Sequence, residues 1–452
     1  MRIAIIGSGP AGFYAAEALL KQAETTVHVD MFERLPTPYG LVRGGVAPDH
    51  QSIKEVARVY EKTAARPAFR FFGNICLGRD ISVEDLRRHY HQILYAVGNE
   101  ADRRLGIPGE GIARCTPATV FVGWYNGHPD YSEARIDLSV PRVAVVGNGN
   151  VAVDAARILL RTPAELEQTD IAAHALEALR GSKVREVFIL GRRGPEQAAF
   201  THTELRELGE MEDADPVVAQ SDLAGCRIPE DAGKSPQEKN LKLLHAFALR
   251  PAGTKPRKIH LRFCVSPREV LANAAGQVAG LVVEKNRLEH KADGTLVARG
   301  TGETEILDVG MVLPAIGFAA EPIAGVPYDQ GAGIIANADG RVVDPATGAV
   351  VAQEYVVGWA RTGPQGLIGS HKAASAHVAR HMLADAATTA GRELPSADAI
   401  VLLLQQRGRQ VVSFADWKRL DDIEIDRGQR RGAARDKIVD VAAMLSSVRD
   451  GQ

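Results

Sequence analysis

The sequence predicts an α/β fold with two domains of similar design, the second inserted into the first, and three observations support this. Glycine-rich turns at residues 7–12 and 147–152 each follow a short apolar run and precede a helical pattern. Apolar runs at 93–97 and 311–316 each end in a glycine, where the chain could cross between domains. The length of 452 residues allows about three folding units at ~150 residues each. Strand, turn and helix in this order are typical of parallel α/β units.

The first glycine turn carries a complete dinucleotide pattern. The strand at 2–6 is followed by Gly7, Gly9 and Gly12 in a G-x-G-x-x-G turn, which also contains Pro10 and Ala11, and then by a helical pattern at 13–20. Gly7 permits the tight turn, Gly9 lets the backbone approach a pyrophosphate, and Gly12 lets helix and strand pack closely. A second strand at 27–32 ends in Glu33, an acid suited to a ribose hydroxyl pair. This unit predicts an FAD site.

The second glycine turn ends differently. Gly147 and Gly149 form a G-x-G-x-x-A turn after the strand at 142–146, and the strand at 184–190 leads to Arg192 and Arg193. Guanidinium groups offer a fork of donors to a 2′-phosphate, whereas a carboxylate would repel it. The unit therefore predicts NADPH in preference to NADH, although a solvated arginine pair after any strand remains an alternative. The segment 162–181 is an insertion between helix and strand.

Composition excludes several classes of protein. Hydrophobic residues make up 45% and charged residues 24%, and no apolar run approaches the ~18 residues of a membrane helix. We therefore expect no integral membrane segment. The net charge of -2 gives no whole-chain argument for nucleic acid.

The cysteines and the start of the chain indicate a reducing compartment. Four cysteines lie far apart, without the spacing of a disulfide scaffold, a metal site or an iron–sulfur cluster: Cys76, Cys115, Cys226 and Cys264. Met1 leads directly into the first strand, and no signal-peptide pattern is visible. We expect a cytoplasmic protein with no bound metal.

Long motifs bring a family resemblance. They are LPTPYGLVRGGVAPDH at 35–50, the stretches at 146–154, 191–208 and 357–369, and the tail from Val412 onward. In this order they closely resemble the adrenodoxin reductase family of ferredoxin–NADP reductases, over nearly the whole chain. The resemblance implies two Rossmann-like domains, an NADP-binding domain at 106–318 inserted into a discontinuous FAD-binding domain at 1–105 and 319–390. Residues 391–452 would then form a C-terminal extension.

The resemblance also implies roles for individual residues. Contacts to FAD fall on Pro10, Glu33, Leu41 and Leu77, and the flavin ring would lie beside Trp359, Gly366, Leu367 and Ile368. NADP would be held by Arg103, Asn148, Gly149, Asn150, Val151, Arg192, Arg193 and Glu204. His50 and Glu207 match family residues at the reacting face of the flavin.

Taken alone, these last residues favour plainer interpretations. His50 stands near a helix start, after Asp49 and before a helical pattern at 52–62, where a histidine commonly satisfies local hydrogen bonds. Glu204 and Glu207 share a helix face, and such an acidic pair is more often solvated than catalytic. The resemblance instead assigns His50 to hydrogen bonding and positioning at the flavin, in a network with Glu207.

The implied reaction passes a hydride from NADPH to FAD and then single electrons to a [2Fe–2S] ferredoxin, or to a flavodoxin. A basic stretch without acids could dock an acidic partner: Arg250, Lys255, Arg257, Lys258 and Arg262. A solvated face is the alternative interpretation of this stretch.

Rival functions remain at this point. An NADPH-dependent disulfide reductase shares the two-domain plan but needs a redox-active cysteine pair, and the cysteines here are not spaced for one. A flavin monooxygenase would need a substrate pocket that the sequence does not reveal. A flavin electron-transfer subunit, with its catalytic centre on a partner, also fits the two glycine turns.

Overall fold

The computed structural model describes residues 1–22, 25–99, 101–226, 235–250, 254–389 and 391–449. The strands in chain order are β1 (Arg2–Ile6), β2 (His28–Phe32), β3 (Phe69–Phe72), β4 (Gln92–Tyr95), β5 (Ala101–Asp102), β6 (Arg142–Val146), β7 (Glu186–Leu190), β8 (Ala214–Val218), β9 (Arg257–Arg262), β10 (Val265–Ala272), β11 (Val278–His290), β12 (Leu296–Leu307), β13 (Met311–Pro314), β14 (Phe318–Ala319), β15 (Tyr328–Asp329), β16 (Ile334–Ile335), β17 (Asn337–Ala338), β18 (Arg341–Val343) and β19 (Val350–Val356).

The helices in chain order are α1 (Pro10–Leu20), α2 (Leu41–Gly44), α3 (Gln51–Lys54), α4 (Ala57–Ala64), α5 (Val83–His89), α6 (Ala118–Asn126), α7 (Asn150–Leu160), α8 (Pro163–Glu167), α9 (Ala173–Arg180), α10 (His202–Leu208), α11 (Pro236–Ala248), α12 (Trp359–Thr362), α13 (Ser370–Ala384), α14 (Ala399–Gln406), α15 (Phe414–Arg430) and α16 (Val441–Arg449).

The first sheet combines strands from both ends of the chain. Its order is β17-β18-β19-β4-β1-β2-β3, and the pairs from β19 to β3 are parallel. Strand β1 lies between β4 and β2 and is buried along nearly its whole length, which explains its continuous apolar run. The carboxyl end of β1, where the first glycine turn begins, therefore lies at the middle of the sheet.

The second sheet is formed entirely by the central part of the chain. Its order is β13-β6-β7-β9-β8, and its strand pairs are all parallel. The antiparallel sheet β10-β11-β12 supplies a further layer, because Val270, Leu281 and Val283 pack in one cluster with Ala144 and Val146 of β6.

A two-stranded ribbon joins the two sheets. Strand β5, which follows β4, pairs antiparallel with β14, which follows β13. The outgoing and returning chain segments thus lie side by side, so the strand-to-glycine endings at Gly98 and Gly317 do mark the crossings.

The C-terminal helices pack back onto the first sheet's core. Trp417 and Leu420 of α15 and Met444 of α16 share one buried cluster with Phe13 and Tyr60. Within the described residues, no helix has both the length and the apolar character needed to cross a membrane.

Candidate active site

The first glycine turn has the geometry that its sequence requires. Gly7 has a φ of +100°, and a Cβ there would lie 2.4 Å from the carbonyl oxygen of Ala96. A Cβ at Gly12 would lie 2.4 Å from the oxygen of Gly7, so this glycine is needed for packing. Gly9 differs, because a Cβ placed there would meet no atom within 4 Å. Gly9 caps α1, with Pro10 and Ala11 in its first turn, so open space lies in front of a helix N-terminus.

Glu33 is anchored on this turn. Its carboxylate accepts hydrogen bonds from the backbone N–H of Ser8 at 3.1 Å and from the Ser8 hydroxyl at 2.6 Å. Its second oxygen accepts from the N–H of Leu35 at 3.1 Å. The carboxylate is thereby fixed beside the open face of the turn, where a ribose would follow a pyrophosphate.

Two other loops converge on the same turn. A Cβ at Gly40 would lie 3.1 Å from the Cα of Gly9, which places Leu41 beside the turn. A Cβ at Gly358 would lie 2.7 Å from the Cβ of Ala11, which brings Trp359 to the start of α1. The structure therefore brings these separate motifs together.

The remaining predicted flavin contacts are distributed around this centre. Leu367 is exposed and Ile368 packs against the core cluster that contains Ala11. Gly366 has a φ of +83° and precedes α13. Leu77 is half-buried and packs against the cluster that contains Phe32 and Phe72, at the ends of β2 and β3.

The connecting ribbon lies next to Trp359. The Trp359 ring lies 5.4 Å from the ring of Phe318, and its indole N–H donates to the oxygen of Gln365 at 3.0 Å. Arg103 donates from Nε to the carbonyl oxygen of Phe318 at 3.1 Å. Arg103, a predicted NADP contact, is thus connected through Phe318 of the ribbon to Trp359, a predicted flavin contact.

The second glycine turn repeats the design of the first. Gly147 has a φ of +134°, and a Cβ there would lie 2.3 Å from the oxygen of Ala315. Gly149 caps α7, and a Cβ on it would meet nothing within 4 Å, so this helix start is open as well. Asn150 accepts from the N–H of Thr201 at 2.8 Å, while the oxygen of Asn148 accepts from the N–H of Phe200 at 3.1 Å.

The predicted phosphate-binding arginines follow β7. Arg192 is exposed, and its carbonyl oxygen accepts from the side chain of Asn286 at 2.8 Å. Arg193 is half-buried, and its oxygen accepts from the N–H of Cys264 at 3.0 Å. Their backbone is therefore held by Asn286 of β11 and by Cys264, which immediately precedes β10, and the sequence predicts neither strand. Val151 lies in the first turn of α7 and packs against the core beside it.

His50 and Glu207 meet where the segment that precedes α3 contacts α10, and this contact is called the His50 junction below. The Nε2 of His50 lies 2.7 Å from Oε2 of Glu207 and 3.6 Å from Oε2 of Glu204. Both glutamates lie on α10, whereas His50 caps α3. Glu204 is only 6% exposed, so the solvated interpretation of this acidic pair is wrong for Glu204. The helical pattern expected at 52–62 is divided between α3 and α4.

Arg157 is the residue at this junction that sequence reasoning missed. Its guanidinium is fully buried and donates to Asp49 at 2.6 Å, to Glu204 at 3.1 Å and to Asp154 at 2.8 Å. The signal was present, because Arg157 is a charged residue within the apolar run of α7. A buried arginine must find carboxylate partners, since an unpaired buried charge is very costly.

Known proteins share both the sequence and the fold of this chain. Its residues 1–187 match the family described as pyridine nucleotide-disulphide oxidoreductase. It is 41% identical to the NADPH-ferredoxin reductase FprA of Mycobacterium tuberculosis over 455 residues, covering 98% of each chain. It is 38% identical to the mitochondrial NADPH:adrenodoxin oxidoreductase of Arabidopsis thaliana, covering 99% of this chain and 95% of the relative. The solved structure of Mycobacterium tuberculosis FprA in complex with NADPH superposes with a TM-score of 0.94 at 40% identity, covering 99% of both chains.

This chain belongs to the ferredoxin and adrenodoxin reductase family. The predicted fold class, with two Rossmann-like domains and one inserted into the other, is confirmed. The predicted enzyme class, an oxidoreductase of the ferredoxin–NADP(+) reductase type, is confirmed as well. The four cysteines are half-buried, and none of them takes part in a disulfide bond.

Electrostatics at the His50 junction of this reductase oppose one another. Burial lowers the pKa of His50, but the hydrogen bond to Glu207 together with the nearby carboxylates Asp154 and Glu204 outweighs it, so the pKa lies above its usual 6.5. Burial, assisted by the nearby Asp154, raises the pKa of Glu204 to about 7. Burial would also raise the pKa of Glu207, yet His50 and Arg157 hold it below its ordinary value. The junction can therefore hold a proton on His50 or on Glu204 near neutral pH.

The basic stretch proposed for docking is largely engaged within the reductase itself. Arg257 donates to the carbonyl oxygen of Leu160 at 2.6 Å, and Arg262 forms an ion pair with Glu305 at 2.5 Å. Lys255 donates to the oxygen of Met211. Because β9 is an inner strand, its alternate side chains point to opposite faces of the sheet. These residues therefore do not form one free basic face, although Arg250 is exposed.

Two groups in the described part of the chain have a metal-like donor set. One is His50, Glu204 and Glu207, and the other is Asp339, His377 and His381. In each group an arginine already neutralises a carboxylate, Arg157 at 3.1 Å from Glu204 and Arg361 at 2.6 Å from Asp339. Both arrangements are those of ion-pair networks.

Proposed function

We propose that this chain transfers electrons from NADPH through FAD to a small iron–sulfur ferredoxin. One observation carries the proposal. The chain contains two open glycine turns, and the strand that follows each turn and its helix leads to an acidic residue in the first unit and to basic residues in the second. The first turn is followed by Glu33 and the second by Arg192 and Arg193. The pattern assigns a free ribose to the first site and a 2′-phosphate to the second.

FAD fits the first site because the space in front of Gly9 is open and Glu33 is already oriented beside it. The proposed FAD-binding residues are Gly7, Gly9, Pro10, Ala11, Gly12, Glu33, Leu41, Leu77, Trp359, Gly366, Leu367 and Ile368. Leu41 and Leu367 offer exposed apolar surface at this site, which suits an aromatic ring system.

NADP(H) fits the second site for the same reason, since the space in front of Gly149 is open. The proposed NADP-binding residues are Arg103, Asn148, Gly149, Asn150, Val151, Arg192, Arg193 and Glu204. Among these, Glu204 accepts a hydrogen bond from Arg157, so we assign it an indirect role, in shaping the NADP site beside His50.

FAD, when bound, supplies the redox chemistry, because it accepts a hydride from NADPH and releases electrons singly. His50 and Glu207 are proposed to orient the reacting groups and to hold a proton at Nε2 of His50. Their hydrogen bond of 2.7 Å crosses between the two domains, so it forms only when the domains are in contact. Positioning across a domain boundary is the protein's main contribution to such a reaction.

Domain limits, partner and location complete the proposal. We assign residues 1–105 and 319–390 to the FAD domain, 106–318 to the NADP domain and 391–452 to the C-terminal extension. A [2Fe–2S] ferredoxin is the proposed acceptor, with a flavodoxin as the variant acceptor of the same one-electron class. The four free cysteines support a reducing location such as the cytoplasm.

A reduction assay under anaerobic conditions tests the function. The purified protein is expected to be yellow and to reduce a [2Fe–2S] ferredoxin with NADPH at low ionic strength. NADPH oxidation by oxygen and reduction of an aromatic disulfide are measured in parallel as the rival activities. A colourless protein that takes up no flavin would refute the proposal, and so would disulfide reduction faster than ferredoxin reduction.

A further inference from the structure

The C-terminal extension contains a buried charged group that touches both domains. Glu424 of α15 is fully buried, and both of its carboxylate oxygens accept hydrogen bonds from Arg43, at 2.8 and 2.6 Å. Arg435 donates to the same carboxylate at 2.9 Å, and so does the N–H of Ile438 at 2.9 Å. Four donors on one buried carboxylate fix its position tightly.

Arg43 links this carboxylate to the proposed FAD site. It lies in α2, two residues after Leu41, and its guanidinium lies 5.1 Å from the ring centroid of Trp417 in α15. Gly40, three residues before Arg43, lies against the first glycine turn, because a Cβ added to it would lie 3.1 Å from the Cα of Gly9. The extension therefore holds the segment that lies against the first glycine turn.

Lys437 links the Arg43 segment to the inserted domain. Its ammonium is almost fully buried and donates to the carbonyl oxygens of Arg43 at 3.2 Å and Asn126 at 3.0 Å. It also pairs with Asp170 at 3.1 Å, and Asp170 accepts from Lys54 at 2.7 Å. Asn126 and Asp170 belong to the insert, whereas Arg43 and Lys54 belong to the first domain.

Close packing leaves little freedom at this point. A Cβ at Gly127 would lie 2.8 Å from Cγ1 of Val439 and 3.2 Å from the Cβ of Ala172. A Cβ at Gly428 would lie 2.3 Å from the Cα of Arg435, so the turn after α15 is equally tight. The segment that carries Lys437 therefore packs closely against the end of α6, and a shift of this segment would also displace α6.

The contacts reach α3, the helix that His50 caps. Lys54 is the last residue of α3, and its N–H donates to the carbonyl oxygen of His50 at 3.4 Å. A displacement of Asp170 relative to Lys54 would therefore alter how α3 presents His50 to Glu207.

We propose that Glu424, Arg435 and Lys437, here called the tail clamp, are positioning residues that set the orientation of the NADP domain on the FAD domain for hydride transfer. The proposal rests on the proposed function, because it concerns how the nicotinamide reaches the flavin. Buried ion networks are weak sources of stability but can select one geometry among several. The tail clamp connects α2, α3 and α6 in this way.

The test uses the holoenzyme with Lys437→Met, which keeps an unbranched side chain one atom shorter and removes its charge. Flavin reduction by NADPH in a stopped-flow instrument is expected to slow at least about tenfold, while the Kd for NADPH changes less than about threefold. Amide hydrogen exchange is expected to rise in peptides from 41–54 and 118–126. Lys21→Met is the matched control, since Lys21 is exposed and pairs with Glu17 of α1, and it is expected to leave both measurements unchanged.

A second variant keeps the test decisive if Lys437→Met does not fold. Glu424→Gln has the same shape and is expected to slow flavin reduction in the same direction with the flavin still bound. Reduction at the wild-type rate in the folded variant, or unchanged exchange at 41–54, overturns the tail clamp. Failure of the wild-type protein to oxidise NADPH would instead overturn the proposed function, so the two failures are distinguishable.

Discussion

Arg192 and Arg193 make the coenzyme preference testable at the level of single side chains. Neither backbone is free, because Asn286 and Cys264 hold their carbonyl oxygens, but the side chains follow the strand that leads to the second site. Replacing both by alanine is expected to raise the KM for NADPH about 10- to 100-fold, since charge-assisted hydrogen bonds to a phosphate are lost. The KM for NADH is expected to change little. Steady-state kinetics with both coenzymes measures this, and equal losses would contradict the assignment.

Glu204 is expected to make stability depend on pH. Burial and Asp154 raise its pKa to about 7, so the folded chain binds a proton that the unfolded chain releases near pH 4.5. By linkage, the free energy of unfolding falls as the pH rises through this window. Glu204→Gln is expected to reduce the fall between about pH 5 and about pH 8, as measured by urea denaturation at both values.

The control for this prediction lies three residues beyond Glu207. Glu210 is an exposed carboxylate that pairs with Arg206 at 3.3 Å, and Glu210→Gln is expected to leave the pH dependence of unfolding unchanged. An unchanged pH dependence in Glu204→Gln would show that this carboxyl is ionised in the folded protein at pH 5.

The helix starts after the glycine turns give the next prediction. A methyl group on Gly9 or Gly149 would meet no protein atom within 4 Å, so alanine at either site is compatible with folding. Gly9→Ala is expected to weaken FAD binding by about tenfold or more, because the methyl group occupies the space of the pyrophosphate. Gly149→Ala is expected to weaken NADP(H) binding to a similar degree while the flavin is retained. Equilibrium titration of each nucleotide measures both effects, and each variant is the control for the other.

Many of the helices, strands and turns could be predicted from the sequence. The turn after β1 and the turn after β6 are local patterns, because the positive φ of Gly7 and Gly147 and the strand–helix packing depend on nearby residues. The crossings at Gly98 and Gly317 were visible for the same reason. The ends of helices and strands differ by a few residues between prediction and structure, as at β4, which is predicted at 93–97 and observed at Gln92–Tyr95. Hydrogen bonding with neighbouring strands decides where a strand ends.

Other features depend on contacts distant in sequence. The sheet β10-β11-β12 was missed, because its outer strand β12 is mostly exposed and shows little apolar alternation. The basic stretch at 250–262 is compatible in sequence with a docking face or a solvated face, yet β9 is an inner strand whose charged side chains find partners such as Glu305. Local pattern cannot show which neighbour a strand acquires.

At the scale of the whole molecule, buried charges join the two domains. Asp49 and His50 of the first domain meet Arg157 and Glu207 of the insert, and Lys437 of the extension meets Asp170. Apolar contact would allow the domains to slide over one another, whereas directional ion pairs favour one orientation. The same interface therefore sets the geometry of the proposed hydride transfer and couples the domains energetically.

Arg157 is the residue on which this coupling depends most. It is fully buried and neutralises Asp49, Asp154 and Glu204, so its loss would leave three largely buried carboxylates without their shared cation. Arg157→Met is expected to lower the free energy of unfolding by about 3–5 kcal/mol, the range for removing one partner of a buried ion pair. It is also expected to separate unfolding into two thermal transitions, because the domains would no longer unfold together.

Arg161 provides the matched comparison. It also donates to Asp49, at 2.8 Å, but its side chain is partly exposed, and Asp49 retains Arg157 when Arg161 is replaced. Arg161→Met is therefore expected to lose less than half as much stability and to keep a single transition. Calorimetry of both variants, with flavin fluorescence as an independent signal of release, measures the difference. Equal losses in the two variants, each with one transition, would mean that the domains are coupled chiefly by apolar packing, and that the orientation of the NADP domain does not depend on these charges.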